Sequence, residues 1–257
     1  MHAPRSLKHE YALYVEREIE DYKDSIPRSA LLAIGDEAVA RLREQAQTTL
    51  TEMVLWEEVD RIIARRLRIP AYDTWRKRRL KVLAELRRPE HWGLQPTDLL
   101  ARELQASEGE HVLVAGVSDE GAAIFSAALG CSVTALDHAP GAVERVMLAA
   151  EAAGLASRVR GCVGDLAAWS PDVALRGVVR SPEAFEGLGP EEREHAIAAL
   201  QSATIDGGVH LVRTLVAGQA AVSLDELRSR YAGWAITVER EAAGTPTFLA
   251  RKGAGLH

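Results

Sequence analysis

VLVAGVSDEGAAIFSAALG, residues 112 to 130, carries the reading of the fold. Four apolar residues lead into Gly116, a turn follows, and an apolar run opens at Gly121. This is the pattern of a buried strand, a tight turn and a helix. The turn reads Gly116-Val117-Ser118-Asp119-Glu120-Gly121, so it is poorer in glycine than a G-x-G-x-G loop. Working outward, strand patterns fall at 111–115, 132–136, 159–163, 173–179, 208–215, 234–240 and 246–251. Helical patterns fall at 120–129, 141–153, 191–203 and 223–231. Alternating strands and helices predict a mostly parallel sheet covered on both faces. The last two strands are joined only by EAAG at 241–244, too short for a crossover helix, and so predict an antiparallel pair.

The chain has 257 residues, 47% of them hydrophobic and 26% charged, with a net charge of −6. That balance fits a globular protein and does not point to nucleic acid as the main partner. The two cysteines, Cys131 and Cys162, form neither a C-x-x-C pair nor a disulfide framework. The first twenty residues hold no apolar signal region, and no run approaches the roughly 18 apolar residues of a membrane span. The expectation is a cytoplasmic protein with no membrane partner and no metal site.

Composition changes near residue 92. Residues 1–92 contain one glycine, Gly35, with 18 basic and 16 acidic residues; residues 93–257 contain 13 basic and 21 acidic. The first part reads as an all-helical extension over 1–92 and the second as an α/β domain over 93–257. Tyr11, Val15, Ile19 and Tyr22 share one helical face, and Ile26-Pro27 interrupts that helix. Further helices are predicted over 36–48, over 50–68 with a stripe of Leu55, Val59, Ile62, Ile63 and Leu67, and over 74–88 with Leu80, Leu83 and Leu86 inward. Residues 61–88 hold 11 basic and two acidic residues. They read as a solvated face whose arginines pair with the acidic second half, with a phosphate-rich partner as the alternative. Tyr72, Trp75 and Arg76 are candidates for closing over a site and holding a substrate, against the plainer reading of helix packing. The same helices offer a docking surface or a homodimer interface.

A parallel α/β sheet binds ligands at the carboxyl ends of its strands. Gly116 permits close backbone approach there, and the helix that follows points free N–H groups at the same place. Asp137 ends the second strand 21 residues after Gly116, a suitable spacing for an acid that accepts hydrogen bonds from ribose hydroxyls.

Several stretches, taken in order, resemble the class I S-adenosylmethionine-dependent methyltransferases over roughly 92–252. HVLVAGVSDEG resembles the first motif, VTALDHAPGAVERV the second strand with its ribose-binding acid, and GLASRVRGCVGDLAAW the third strand with the Gly-Asp beside the adenine. PDVALRGVVRSPEAFEGLGPEEREHAIAAL resembles the fourth strand and its helix, IDGGVHLVRTLV the approach to the fifth strand, and GWAITVEREAAGTPTFLARK the terminal hairpin. The resemblance implies a Rossmann-like, seven-stranded, mostly parallel sheet with an antiparallel last strand. It implies S-adenosylmethionine held by Gly116, Ser118, Glu120, Gly121, Asp137, His138, Asp165, Leu166 and Arg180. Glu183 and His138 are the nearest candidates for a general base, and Ser181 reads as a polar loop residue. Val114 stands where the family usually carries an acid. Arg180-Ser181-Pro182-Glu183 replaces D/N-P-P-Y, which argues against methylation of nucleic-acid bases. The implied activity is methyl transfer to a small molecule or a protein side chain. The glycine-poor turn keeps a second reading open, a catalytically inactive methyltransferase-like module whose helices dock a partner. A nicotinamide dehydrogenase fits less well, because of the terminal hairpin and the GVVRSPEAFEGL segment.

Overall fold

The computed structural model describes residues 6–44, 52–104, 109–117, 120–213, 222–240 and 246–253. The chain divides into two compact units, Met1–Lys81 and Val82–His257.

The first unit is helical: α1 (Leu7–Ser25), α2 (Arg28–Glu44), α3 (Glu52–Arg66) and α4 (Tyr72–Leu86), the last of which continues into the second unit. Ser6 caps α1 by accepting from the His9 N–H, and Pro27 separates α1 from α2. The core of this unit gathers Ile19, Ile34, Ala38, Val59, Ile62 and Ile63. The stripe expected on α3 is therefore real through Ile63, whereas Leu67 lies beyond the helix and is exposed. α2 begins well before residue 36, since Leu31 and Ile34 already follow the helical period after Pro27. The expected end of that helix at 48 lies outside the described residues. Leu80 does not point inward on α4; it is exposed, and Leu86 carries the burial. Four of the 11 basic residues in 61–88 have acidic partners nearby in sequence or within the helices. Arg61 pairs with Glu58, Arg66 with Glu37, Arg79 with Glu10 and Arg88 with Glu85.

The second unit holds a seven-stranded sheet in the order β3-β2-β1-β4-β5-β7-β6. Its strands are β1 (His111–Ala115), β2 (Ser132–Asp137), β3 (Val159–Val163), β4 (Leu175–Arg180), β5 (Thr204–Arg213), β6 (Ala235–Arg240) and β7 (Pro246–Arg251). β1 to β5 run parallel, and β7 is antiparallel to both β5 and β6. The helices are α5 (Leu99–Leu104), α6 (Gly121–Ala128), α7 (Pro140–Ala152), α8 (Pro190–Ala203) and α9 (Leu224–Arg230). Alternation within a strand builds two cores. Val112 and Val114 pack with α5, α6 and α7, while Leu113 and Ala115 pack with α8, α9 and Phe248. Such two-sided burial is why the strands read as continuous apolar runs. β5 starts at Thr204 instead of 208, because Gly207 and Gly208 sit inside the strand at a bulge between the Leu175–Thr204 and Gly177–Val209 pairs. A Cβ on Gly208 would lie 2.5 Å from Thr204 Cγ2 and 2.8 Å from the Ile205 carbonyl oxygen, so the bulge needs glycine there. The expected end of β5 at 215 and the EAAG connection lie outside the described residues. Among the described residues no helix is long and apolar enough to cross a membrane.

A polar chain threads the second core. His210 Nδ1 lies 2.6 Å from the Tyr231 hydroxyl and its Nε2 lies 2.7 Å from Thr204 Oγ1, which donates to the Leu200 carbonyl. Burial pushes the His210 imidazole well below its ordinary value of 6.5, and the nearby positive charges of Arg180 and Lys252 add to the effect. Burial lowers His111 in the same direction, helped by Arg160. The His210 ring stays neutral in the fold while the unfolded chain takes up protons as pH falls through about 6.5. The His210 contribution to stability is therefore complete above that pH and declines below it, by up to about 1.4 kcal/mol per pH unit, and His111 adds to it in the same direction. Urea unfolding at about pH 7.5 and about pH 5.5 should show this loss, and His210→Gln should flatten it. An unchanged pH dependence in the variant would remove His210 from the account.

Candidate functional site

The carboxyl ends of β1, β2, β3 and β4 meet where the chain order reverses, between β1 and β4. Gly116 follows β1 with φ +71°, and its N–H donates to the Leu136 carbonyl at 2.9 Å. Asp137 closes β2 and is almost wholly buried; its Oδ1 accepts from the Ala139 N–H at 2.8 Å. That bond fixes the carboxylate at the start of α7, and the Asp137 carbonyl accepts from the Gly164 N–H at 2.9 Å, tying β2 to the loop after β3. In that loop Asp165 Oδ1 accepts from the Ala167 N–H at 2.9 Å, and Leu166 is buried beside it.

These residues surround a cavity of about 150 Å³. Gly116, Asp137, His138, Asp165, Leu166 and Glu183 all line it, so six of the expected site residues come together. Among the described residues four of its lining side chains are carboxylates, Asp137, Asp165, Glu183 and Glu186, and none is a lysine or arginine. Among the described residues these acids do not gather into a metal-binding cluster. Glu183 Oε2 is buried without a hydrogen-bond partner. His138 Nδ1 lies 3.5 Å from Asp137 Oδ1, with most of its ring in solvent.

Other expectations fall elsewhere. Glu120 and Gly121 line a separate depression of about 350 Å³ with His91, Trp92, Leu100 and Arg213. Glu120 precedes α6 without a capping bond from its side chain. Arg180 does not reach the cavity. Its side chain is fully buried, donates to the Tyr231 hydroxyl and lies 5.0 Å from the Phe185 ring centroid. Its position at the carboxyl end of β4 was legible, but the direction of its side chain follows the strand alternation that also buries Val178 among the second core. Tyr72 and Trp75 pack with Tyr11 of α1, at 5.4 Å in each case, and Trp75 also stacks on Tyr14 at 6.0 Å. Within the helical unit both rings thus take part in helix packing, and Arg76 beside them is exposed. Ser118 lies outside the described residues.

The segment that sequence reasoning undervalued is the 3₁₀ turn Pro182–Phe185, entered through Ser181. Ser181 Oγ donates to the Gly116 carbonyl at 2.6 Å, and the Ser181 N–H donates to the Ala115 carbonyl at 3.1 Å. A Cβ built on Gly116 would lie 2.3 Å from Ser181 Oγ, 2.6 Å from the Ala184 nitrogen and 3.1 Å from Ala184 Cβ. The Ser-Pro pair was the available signal, since proline is favoured at the first position of a helical turn. Gly116→Ala combines a left-handed backbone with a clash against backbone. It should destabilise the second unit by about 2–4 kcal/mol, read as a lower urea midpoint. A shift below about 0.5 kcal/mol would mean that this turn yields freely.

No family model matches the sequence, and no curated protein is found to be similar to it. Solved structures do share its architecture. TehB from Haemophilus influenzae superposes with a TM-score of 0.50 at 18% identity, over 60% of this chain and 61% of its own. The chain thus matches less than two thirds of that protein's length. The N-methyltransferase NodS from Bradyrhizobium japonicum WM9 gives 0.50 at 14% identity, over 70% of this chain and 96% of its own. The [4+2]-cyclase SpnF gives 0.51 at 17% identity, over 62% of this chain and 80% of its own. The chain therefore shares with these proteins a Rossmann-like α/β fold, here a seven-stranded, mostly parallel sheet with an antiparallel β7.

Proposed function

We propose that this chain binds S-adenosylmethionine and transfers its methyl group to a small molecule or a protein side chain. The observation that carries the reading is the acidic cavity at the ends of β1, β2 and β3, with Asp137 closing β2. Four carboxylates and, among the described residues, no lysine or arginine make a poor host for the pyrophosphate of a dinucleotide and a good one for a cationic ligand. The cofactor, when bound, supplies a methyl group on a positively charged sulfur, open to in-line displacement. Asp137, held by the Ala139 N–H, is suited to accept from ribose hydroxyls, and buried Leu166 offers an apolar wall for the base. Glu183 has a buried oxygen with its acceptor capacity unfilled, so it is the best placed residue to take a proton from an acceptor.

One observation favours a second reading, that of a methyltransferase-like binding module. The space directly over Gly116 is taken by Ser181 and Ala184, and the cavity of about 150 Å³ is smaller than the roughly 300–1,000 Å³ of ordinary ligand sites. SpnF, named for a cyclisation, is a reminder that this fold does not by itself fix a reaction.

Calorimetric titration of the full chain with S-adenosylmethionine and S-adenosylhomocysteine separates the two. The expected result is micromolar binding that weakens at least about tenfold in Asp137→Ala, a loss of about 1.4 kcal/mol or more. A folded protein that binds neither compound would exclude the enzyme reading and favour the docking module.

A further inference from the structure

We infer that the exposed basic face at the end of α3 and along α4, formed by Arg65, Arg68, Arg76, Lys77, Arg78 and Lys81, is a docking surface for the phosphate backbone of double-stranded DNA. The face lies wholly within the helical unit and is independent of the acidic cavity.

Charge is segregated within this unit. Residues 7–60 hold six basic and 13 acidic residues, whereas residues 61–81 hold nine basic and one acidic, Asp73. A surface that serves solubility alone intersperses its signs; a field of one sign repels itself and serves steering or binding. The net charge of −6 does not oppose this. At about 0.1 M salt the Debye length is about 10 Å, so a ligand at this face meets the local charge and not the total.

The cations of the face are also unpaired. Arg61, Arg66 and Arg79 have acidic partners. The other six in 61–81 are exposed, and among the described residues none has an ion-pair partner. The remaining stretches of this unit, 1–5 and 45–51, contain no acid. The acids of α4 itself do not cancel the field, since Asp73 stands alone in the first turn and Glu85 pairs with Arg88.

Arg68 adds a backbone observation. It follows α3 in the left-handed region, with φ +54°. The Ile69 N–H donates to the Ala64 carbonyl at 3.0 Å and the Arg68 N–H to the Arg65 carbonyl at 3.1 Å, the two bonds of a Schellman cap. Glycine is the usual residue at that position, because a side chain there is strained. This chain keeps an exposed arginine instead, just before α4 begins.

Unpaired cations select a polyanion, and the shape of α4 selects its form. Its 15 residues make a rod of about 22 Å, at about 1.5 Å per residue. Lys77 and Lys81 stand one turn apart on one side of it, flanked by Arg76 and Arg78. The major groove of B-DNA, about 12 Å wide between its phosphate rows, admits a helix, whereas that of A-form RNA is too narrow. A single strand calls for aromatic rings on which bases stack, and here Tyr11, Tyr14, Tyr72 and Trp75 pack on one another. A membrane calls for a continuous apolar face. Exposed Leu80 and Val82 are two residues apart, about 200° around the helix, and form none. The duplex is a docking partner and not the methyl acceptor, in keeping with Arg180-Ser181-Pro182-Glu183 in place of D/N-P-P-Y.

Fluorescence anisotropy of a labelled, mixed-sequence DNA duplex, titrated with the full chain between about 50 and about 200 mM salt, counts the contacts, since each phosphate engaged adds about 0.9 to the slope of log affinity against log salt. Six contacts give a slope of about −5. Arg76→Gln/Lys77→Gln/Lys81→Gln should make it shallower by about 3, and Arg68→Gly by about 1 without lowering the urea midpoint. Arg28→Gln/Arg43→Gln/Arg145→Gln removes the same charge from exposed positions elsewhere and should leave the slope unchanged. A folded chain that does not bind the duplex at about 50 mM salt would overturn the inference, as would equal losses in the two triple variants. Tighter binding to an RNA duplex of the same sequence, to single-stranded RNA or to phosphatidylserine vesicles would overturn it as well.

Discussion

The approach of Ser181 and Ala184 to Gly116 is the constraint on which the binding end of the sheet depends. β1 and β4 are neighbours, so the chain leaving each strand must pass the other within a few ångströms. A left-handed glycine after β1 turns the chain aside and leaves a surface without a side chain. In this protein the segment after β4 takes that surface. The consequence runs outward. The cavity is pushed toward β2 and β3, and Glu183 and Glu186 are carried to its rim by the same turn. Its character as an acidic pocket is then set as much by the β4 exit as by Asp137.

Much of the α/β half was legible because its signals are local and periodic. The apolar runs at 111–115 and 132–136, the acid at Asp137 and the short link before β7 each report on their own neighbourhood. The departures arise where a tertiary demand overrides a local one. Gly207 and Gly208 look like a break between helix and strand, but a bulge in the β4–β5 pairing uses them inside the strand. The side chain of Arg180 is placed by sheet alternation, which depends on which neighbours cover each face, and so its absence from the cavity was not readable from the motif. Tyr72 and Trp75 illustrate the converse. Aromatics spaced along a helix fit a ligand cage and a packing seam equally well, and their contacts with Tyr11 and Tyr14 come from another helix that the local pattern does not report.

The buried Arg180 shows how the two sides of the site are joined. Its Nε and Nη1 have no hydrogen-bond partner, and its charge is eased by the faces of Phe185 and Tyr231 instead of by an acid. Tyr231 in turn meets His210, which burial keeps neutral. The turn over Gly116 is thereby continuous, through Phe185, with a polar chain deep in the second core. A disturbance at either end has a physical route to the other, made of packed rings and hydrogen bonds.

The division between the two compact units falls between Lys81 and Val82, inside α4 and not in a loop. Most domain boundaries lie in exposed linkers where the chain can be cut without loss. A helix offers no such seam. Severing it strips the four amides that follow the cut of their carbonyl partners one turn back, and a fragment beginning at Val82 would open on a frayed end. Leu83, which packs on the core of the α/β unit, stands within that exposed turn, and buried Leu86 directly after it. Dissection of this protein into separately folded halves is thus impeded at the level of a single shared helix.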